Sequence, residues 1–347
     1  MTEADNKLEG LLNLTDETGV SQHSKYRIID RRYGYATDDN ARALIAAVRH
    51  HERYGTELSL SLAERYLEFL IYMQKDDGGY HNKLGFDRIY QDEAGTEDGV
   101  GHVLWAAGYT MNSGMPDKFR EVSKYLFDRS LPHSRRFTSP RAKAYTLMGL
   151  CGYYYVYPFE EAIIQEIEGL VNYFTDKFES SVDSDWKWFE DYLTYANPRI
   201  PQSLFEAYRV TGETKNLEIA KVSLDFLIDI QFNDQLFQPI GTNGWYEKGG
   251  IKASFDQQPI EASCMVEAAT IAWIMLGDDK YKRAAEQAFA WFHGENSHGI
   301  PLFDQDSYTC YDGLTSEGLN INQGAESTIS YLLAELCLGS IPEEGSA

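Results

Sequence analysis

The chain has 347 residues, is 43% hydrophobic, and carries 54 acidic against 31 basic side chains, for a net charge of −23. That balance argues against nucleic acid and anionic membrane as partners, because both are bound through clustered Lys and Arg. No apolar run approaches the ~18 residues of a membrane span, and the acidic start Met1-Thr2-Glu3-Ala4-Asp5-Asn6 is followed by no apolar stretch, so no secretory signal is expected.

In chain order, a short apolar segment around Leu8 to Leu14 comes first. Six polar, turn-forming clusters then each run into an apolar helical stretch. They are Thr37-Asp38-Asp39-Asn40, Thr96-Glu97-Asp98-Gly99, Thr138-Ser139-Pro140-Arg141, Tyr195-Ala196-Asn197-Pro198, Phe255-Asp256-Gln257-Gln258-Pro259 with Glu261, and Asn322-Gln323-Gly324-Ala325-Glu326. Each has the chemistry of a helix start: a Ser, Thr, Asp or Asn to cap free amides, Pro in the first turn, and acids to offset the dipole. The stretches that follow, such as Ala41 to Ala47 and Ala262 to Ala269, are small-residue helices apolar on more than one side, as a helix packed on several faces requires. Between them, residues 62–70, 118–126, 162–167, 220–227 and 282–289 show one apolar stripe and one charged face.

Buried and half-exposed helices therefore alternate at a period of roughly 40–70 residues, which suits a helical hairpin plus an elaborated loop. Six such hairpins predict an all-α (α/α)6 toroid over 1–347, with 1–7 and 340–347 as flexible tails. The sixth inner helix, Ser327 to Leu338, has no amphipathic partner after it, so the segment around Leu8 to Leu14 is expected to close the ring. The inner helices then run parallel, with all six N-termini at one mouth.

Cys151, Cys264, Cys310 and Cys337 lack paired spacing and read as small hydrophobes, so a reducing, cytoplasmic setting and no metal site are expected. A neutral ligand suits the charge. With 24 Tyr, 17 Phe and 6 Trp, the composition fits a small carbohydrate, whose C–H faces stack on aromatics while its hydroxyls bind carboxylates and amides.

The strings Leu14 to Val20 with Gln22-His23, Gly34 to Ala43, Asp77-Gly78-Gly79-Tyr80-His81-Asn82, Glu97 to Ala106, and Trp188 to Arg199 resemble a bacterial group in the six-hairpin glycosidase-like superfamily. Members of that group are often labelled glycosyltransferase or mannosyltransferase. The resemblance spans about Leu11 to Leu338 and implies a carbohydrate-active protein, mannose-containing oligosaccharides as substrates and a glycosyltransferase or another sugar-pathway enzyme as partner. No Gly-rich nucleotide-binding turn appears, so a transferase activity of this chain alone is not expected.

Glycoside hydrolysis needs two carboxyl groups across the bond. Asp39, Glu97, Asp98, Asp191 and Glu261 are the candidate catalytic acids. Asp191, with Glu190 as its alternate, sits among Trp186, Trp188 and Tyr192, where burial would raise a carboxyl pKa as a general acid needs. Asp38, Asn40, Arg42, Arg199, Tyr195, Asn197, Asp256, Gln257, Gln258, Asn322 and Glu326 are candidate sugar-binding groups at the same end, with Trp188 and Trp245 as stacking rings. His23, His81 and His102 are further candidates and define a rival, since sugar 2-epimerases of this architecture move a proton with cavity histidines. A third reading is a non-catalytic carbohydrate-binding domain beside a glycosyltransferase.

Overall fold

The computed structural model describes residues 2–233 and 236–340. Its helices are α1 (Glu3–Asn6), α2 (Glu9–Asn13), α3 (Thr37–Tyr54), α4 (Glu57–Met73), α5 (Glu97–Met111), α6 (Asp117–Ser134), α7 (Pro140–Val156), α8 (Glu161–Ser181), α9 (Arg199–Thr211), α10 (Thr214–Gln231), α11 (Pro259–Leu276), α12 (Asp279–Ala290) and α13 (Ala325–Gly339). The odd-numbered helices from α3 to α13 each touch the next, and α13 returns to α3, closing an inner ring. Each inner helix up to α11 packs on the outer helix that follows it, while α13 packs on α2. Leu8, Leu11 and Leu14 are buried there, so the start of the chain completes the sixth hairpin. The architecture is an (α/α)6 toroid.

The two helix classes follow from their residues. In α11 every residue from Pro259 to Ala272 is buried, so no side faces water. By length and mean hydropathy it is the one helix among the described residues that could cross a membrane, and here it lies inside the ring. In α12 only Tyr281, Ala284, Ala285 and Ala288 are buried, a stripe at helical spacing.

The inner helices α5 and α7 approach closely where glycines face each other. A Cβ at Gly149 on α7 would lie 2.3 Å from the Leu104 carbonyl oxygen on α5, and one at Gly108 would lie 2.1 Å from the Gly149 oxygen. Gly149→Ala is therefore expected to push the two backbones apart and destabilise by about 1–3 kcal/mol. A denaturant midpoint unchanged from the parent would contradict that contact.

Connections within a hairpin are short, such as Gly55-Thr56 between α3 and α4, with Gly55 in the left-handed region (φ 62°) that ends a helix. Most of those leading into inner helices are long, as between Met73 and Glu97 or Ala290 and Ala325. The loops therefore gather around the N-terminal ends of the inner ring. Among the described residues their strands are two or three residues long and pair antiparallel.

Two expectations change. Residues 2–7, read as a tail, form α1 with a capping box at Thr2, and Lys7 pairs with Glu335 at 2.6 Å. The other expected tail lies, from residue 341 on, outside the described residues. The polar clusters do mark the inner-helix starts, but an N-cap side chain accepts an amide only at Thr96 and Ser139. At α3, α9, α11 and α13 the N-cap residues are Ala36, Pro198, Gln258 and Gly324, and none caps through its side chain. The acids at three of those starts, Asp38, Asp39, Glu261 and Glu326, are left for other work.

Candidate active site

Arg42 lies one turn into α3, on the face shared with Asp38 and Asp39, and α13 packs beside it. Its guanidinium donates to Asp39 Oδ1 at 2.8 Å and to Glu326 Oε2 at 2.9 Å, and it stands 3.6 Å from Asp38 Oδ2. Two carboxylates on one planar guanidinium have oxygens within about 8 Å of each other. The three acids and Arg42 line a chamber of about 370 Å³ with Gln22, His23, Gln258, Asp312, Asn320, Gly324 and Ser327. A second chamber of about 400 Å³ shares His23, Asp312 and Asn320 and adds Asn322.

The acids differ in environment. Burial, then the charge of Asp38, raise the Asp39 pKa well above the usual carboxylate range despite Arg42. One cation faces three carboxylates, so the most buried member is the one that holds a proton most tightly. Asp39 is 3% exposed. The Glu326 side chain is 43% exposed and meets water.

Beneath the mouth lie Glu261 on α11 and His102 on α5. Glu261 is buried; its Oε1 accepts from the Ala196 amide at 2.5 Å, and its Oε2 has no partner. Burial pushes its pKa up to about 8. His102 is pushed down to about 4 by burial and then by Arg42, so it is neutral at neutral pH. Its Nδ1 lies 2.8 Å from the Asp98 carbonyl oxygen and must carry the proton, leaving Nε2 a bare, unpartnered acceptor. The ring lies 3.9 Å from that of Tyr145.

Several expected site residues have other partners. Glu97 accepts the Thr138 and Ser139 amides at 2.7 Å each and so tethers the start of α7. Asp98 is held by the Tyr195 hydroxyl and by Ser139 Oγ at 2.8 Å. Asp191 is not desolvated: its side chain is 79% exposed beside Lys248. Glu190 is the buried member of that pair, ion-paired to Arg141. Trp188 is fully buried among aromatics, 5.1 Å from the Phe189 ring, and offers no face to a ligand. Asn40 binds Val20 and Ala36 backbone, Asn197 binds Arg141 and Thr194, and Gln257 binds Trp291 and Ser254. These amides are consumed by the fold.

Arg199 turns inward to Glu267 and Gln202, both at 2.7 Å. His81 stacks on Tyr90 at 3.9 Å and bonds the Asp92 carbonyl. Trp245 and Asp256 line neither chamber. Asp312, Gln22, Asn320 and Ser327 line this site without being among the candidate site residues. Asp312 Oδ1 accepts from Gly324 N and Ser327 Oγ at 2.7 Å each, so it caps α13 from a distant loop. Its one local signal is Asp312-Gly313, an ordinary turn pair.

No protein-family model matches the chain, and no curated protein matches it in sequence. Solved structures do. A sugar epimerase from a ruminal bacterium superposes with TM-score 0.74 at 12% identity, over 99% of this chain and 100% of that one. Cellobiose 2-epimerase from Bacillus thermoamylovorans gives 0.73 at 14%, over 97% of each. A GH76 α-1,6-mannanase from Salegentibacter gives 0.67 at 13%, over 96% and 97%; that structure is an inactive variant, with two consecutive aspartates replaced, in complex with α-1,6-mannotetrose. This chain shares its overall fold with these solved structures.

Proposed function

We propose that the chain is a carbohydrate-active enzyme that hydrolyses glycosidic bonds of short neutral oligosaccharides, mannose-containing ones foremost, at the mouth around Arg42. The observation that carries this reading is the pair Asp39 and Glu326 on a single guanidinium, one buried and one open to solvent. An oxygen separation of at most about 8 Å is compatible with the ~5–5.5 Å of retaining enzymes and with the lower part of the ~6.5–9.5 Å range of inverting ones.

Asp39, holding a proton, donates it to the leaving glycosidic oxygen. Glu326, meeting water, activates a water molecule or attacks the anomeric carbon. Gln22, Gln258 and Asn320 offer amides to the sugar hydroxyls. The solved neighbours support the substrate class, since they are named as epimerases of sugars and as a mannanase. The mannanase variant is named as inactive with two consecutive aspartates replaced, and this chain carries a consecutive pair, Asp38-Asp39, at its mouth. Isomerisation is less well served: His23 lines the mouth, but His102 is sealed beneath it against Tyr145.

The test is a screen against manno- and gluco-oligosaccharides with product anomers followed by NMR. Asp39→Asn and Glu326→Gln should each lower turnover at least about 100-fold. The basic limb of the parent's pH profile should lie above the usual carboxylate range, because activity is lost as Asp39 loses its proton. Cleavage that persists in both variants removes the assignment; epimer formation without cleavage transfers it to proton transfer at the sugar carbonyl.

A further inference from the structure

The opposite end of the ring, where the inner helices finish, holds two chambers of about 480 Å³ each. They share Arg49, Tyr109, Gln202, Glu206 and Arg209. We infer that they form a second saccharide-binding site, separate from the mouth around Arg42.

Charge and shape decide the ligand class. Arg49, Arg53 and Arg209 are matched by Glu52, Glu206 and Glu267, so the lining is balanced between cations and anions. The carbonyl ends of the inner helices converge here and disfavour an anion. A neutral, polar ligand fits both facts. Trp105, Tyr109 and Tyr155 add aromatic faces beside the planar side chains of Asn112, Gln202 and Arg209. Aromatic faces for C–H surfaces and planar polar groups for paired hydroxyls are what a sugar ring uses.

Two groups in the lining are not saturated by the protein. Arg49 Nη1 and Thr270 Oγ1 are buried without a hydrogen bond of good geometry, beyond the weaker approach of Arg49 to Tyr109 and of Thr270 to Cys337, and Thr270 is 4% exposed. A sugar hydroxyl both donates and accepts, so it can serve either. Access is open: Tyr155 is 40% exposed and the Arg209 side chain 51%. Glu267 and Gln202, which both bind Arg199, form the floor toward the mouth.

The site is tested with mannobiose and cellobiose as probes, by saturation-transfer NMR and calorimetry on the full chain carrying Asp39→Asn and Glu326→Gln, so that nothing is consumed. Adding Tyr155→Ala, which removes a partly exposed ring, should weaken one binding event at least about tenfold. Asn112→Trp, which fills the chamber from the exposed end of α5, should do the same. Either change made alone in the otherwise intact chain should leave sugar turnover at the mouth as it was, which separates failure of this site from failure of the mouth. Saccharide affinity equal to the parent's in both chamber variants, with parental melting temperatures, overturns the proposal, as does the absence of any bound sugar.

Discussion

Glu267→Ala is expected to cost about 3–5 kcal/mol of folding stability. Glu267 sits midway along α11 and is buried, accepting from Arg199 Nη2 and Arg49 Nη2 at 2.7 Å each. Burial alone would raise its pKa, but the two guanidiniums outweigh burial and hold it below the ordinary value. Deleting the carboxylate strands two arginines whose side chains are 3% and 15% exposed. A fall in melting temperature of about 4–7 °C follows for a chain of this size. An Arg199→Met/Glu267→Met double variant should recover part of the loss, because the deeper charge is then gone as well. If the two losses simply add, or if Glu267→Ala costs under about 1 kcal/mol, the triad is not the internal tie described above.

Glu267 also shows where sequence reading stops. The run Met265-Val266-Glu267-Ala268 places an acid in an otherwise apolar helix, which signals a buried partner but not its identity. Arg49 and Arg199 lie 218 and 68 residues away, and only closure of the ring brings all three together. The ring itself was legible, because polar turns running into small-residue helices recur and α3, α5, α7, α9, α11 and α13 start within two residues of those clusters. Facing direction was not. Glu190 and Asp191 lie in the bend before the short strand Tyr192–Leu193, where adjacent side chains can take different directions that no periodicity in the sequence predicts. The buried partner of Arg141 is Glu190, and Asp191 goes to solvent. Doubled acids behave similarly in a helix: Asp39 turns inward beside Arg42, while Glu97 reaches out to the next inner helix start. The mouth was legible as a place and its chemistry only in part, since Glu326 meets Arg42 across 284 residues.

Glu261 yields the second large effect, one that reverses the usual result of altering a buried acid. Its folded pKa is about 8 against an ordinary 4.5. Between those values the folded protein keeps a proton that the unfolded chain has released, so stability falls as pH rises through that window. The contribution is fully present below about pH 4.5 and is lost by about pH 8, at up to about 1.4 kcal/mol per pH unit, or roughly 4–5 kcal/mol in all. Glu261→Gln carries no charge at any pH and keeps an oxygen for the Ala196 amide. The variant should match its parent near pH 4 and exceed it by about 3 kcal/mol or more near pH 8.5, in urea titrations run at both. A difference that stays constant with pH would show that Glu261 ionises normally. Folding alone gives no reason for a carboxylic acid here, since glutamine meets the same contact at no charge. The stabilised variant is therefore expected to turn over sugar more slowly than its parent, the exchange seen where an active site holds a group the fold would reject. Unchanged turnover would reduce Glu261 to a structural acid and leave the proton chemistry to Asp39 alone.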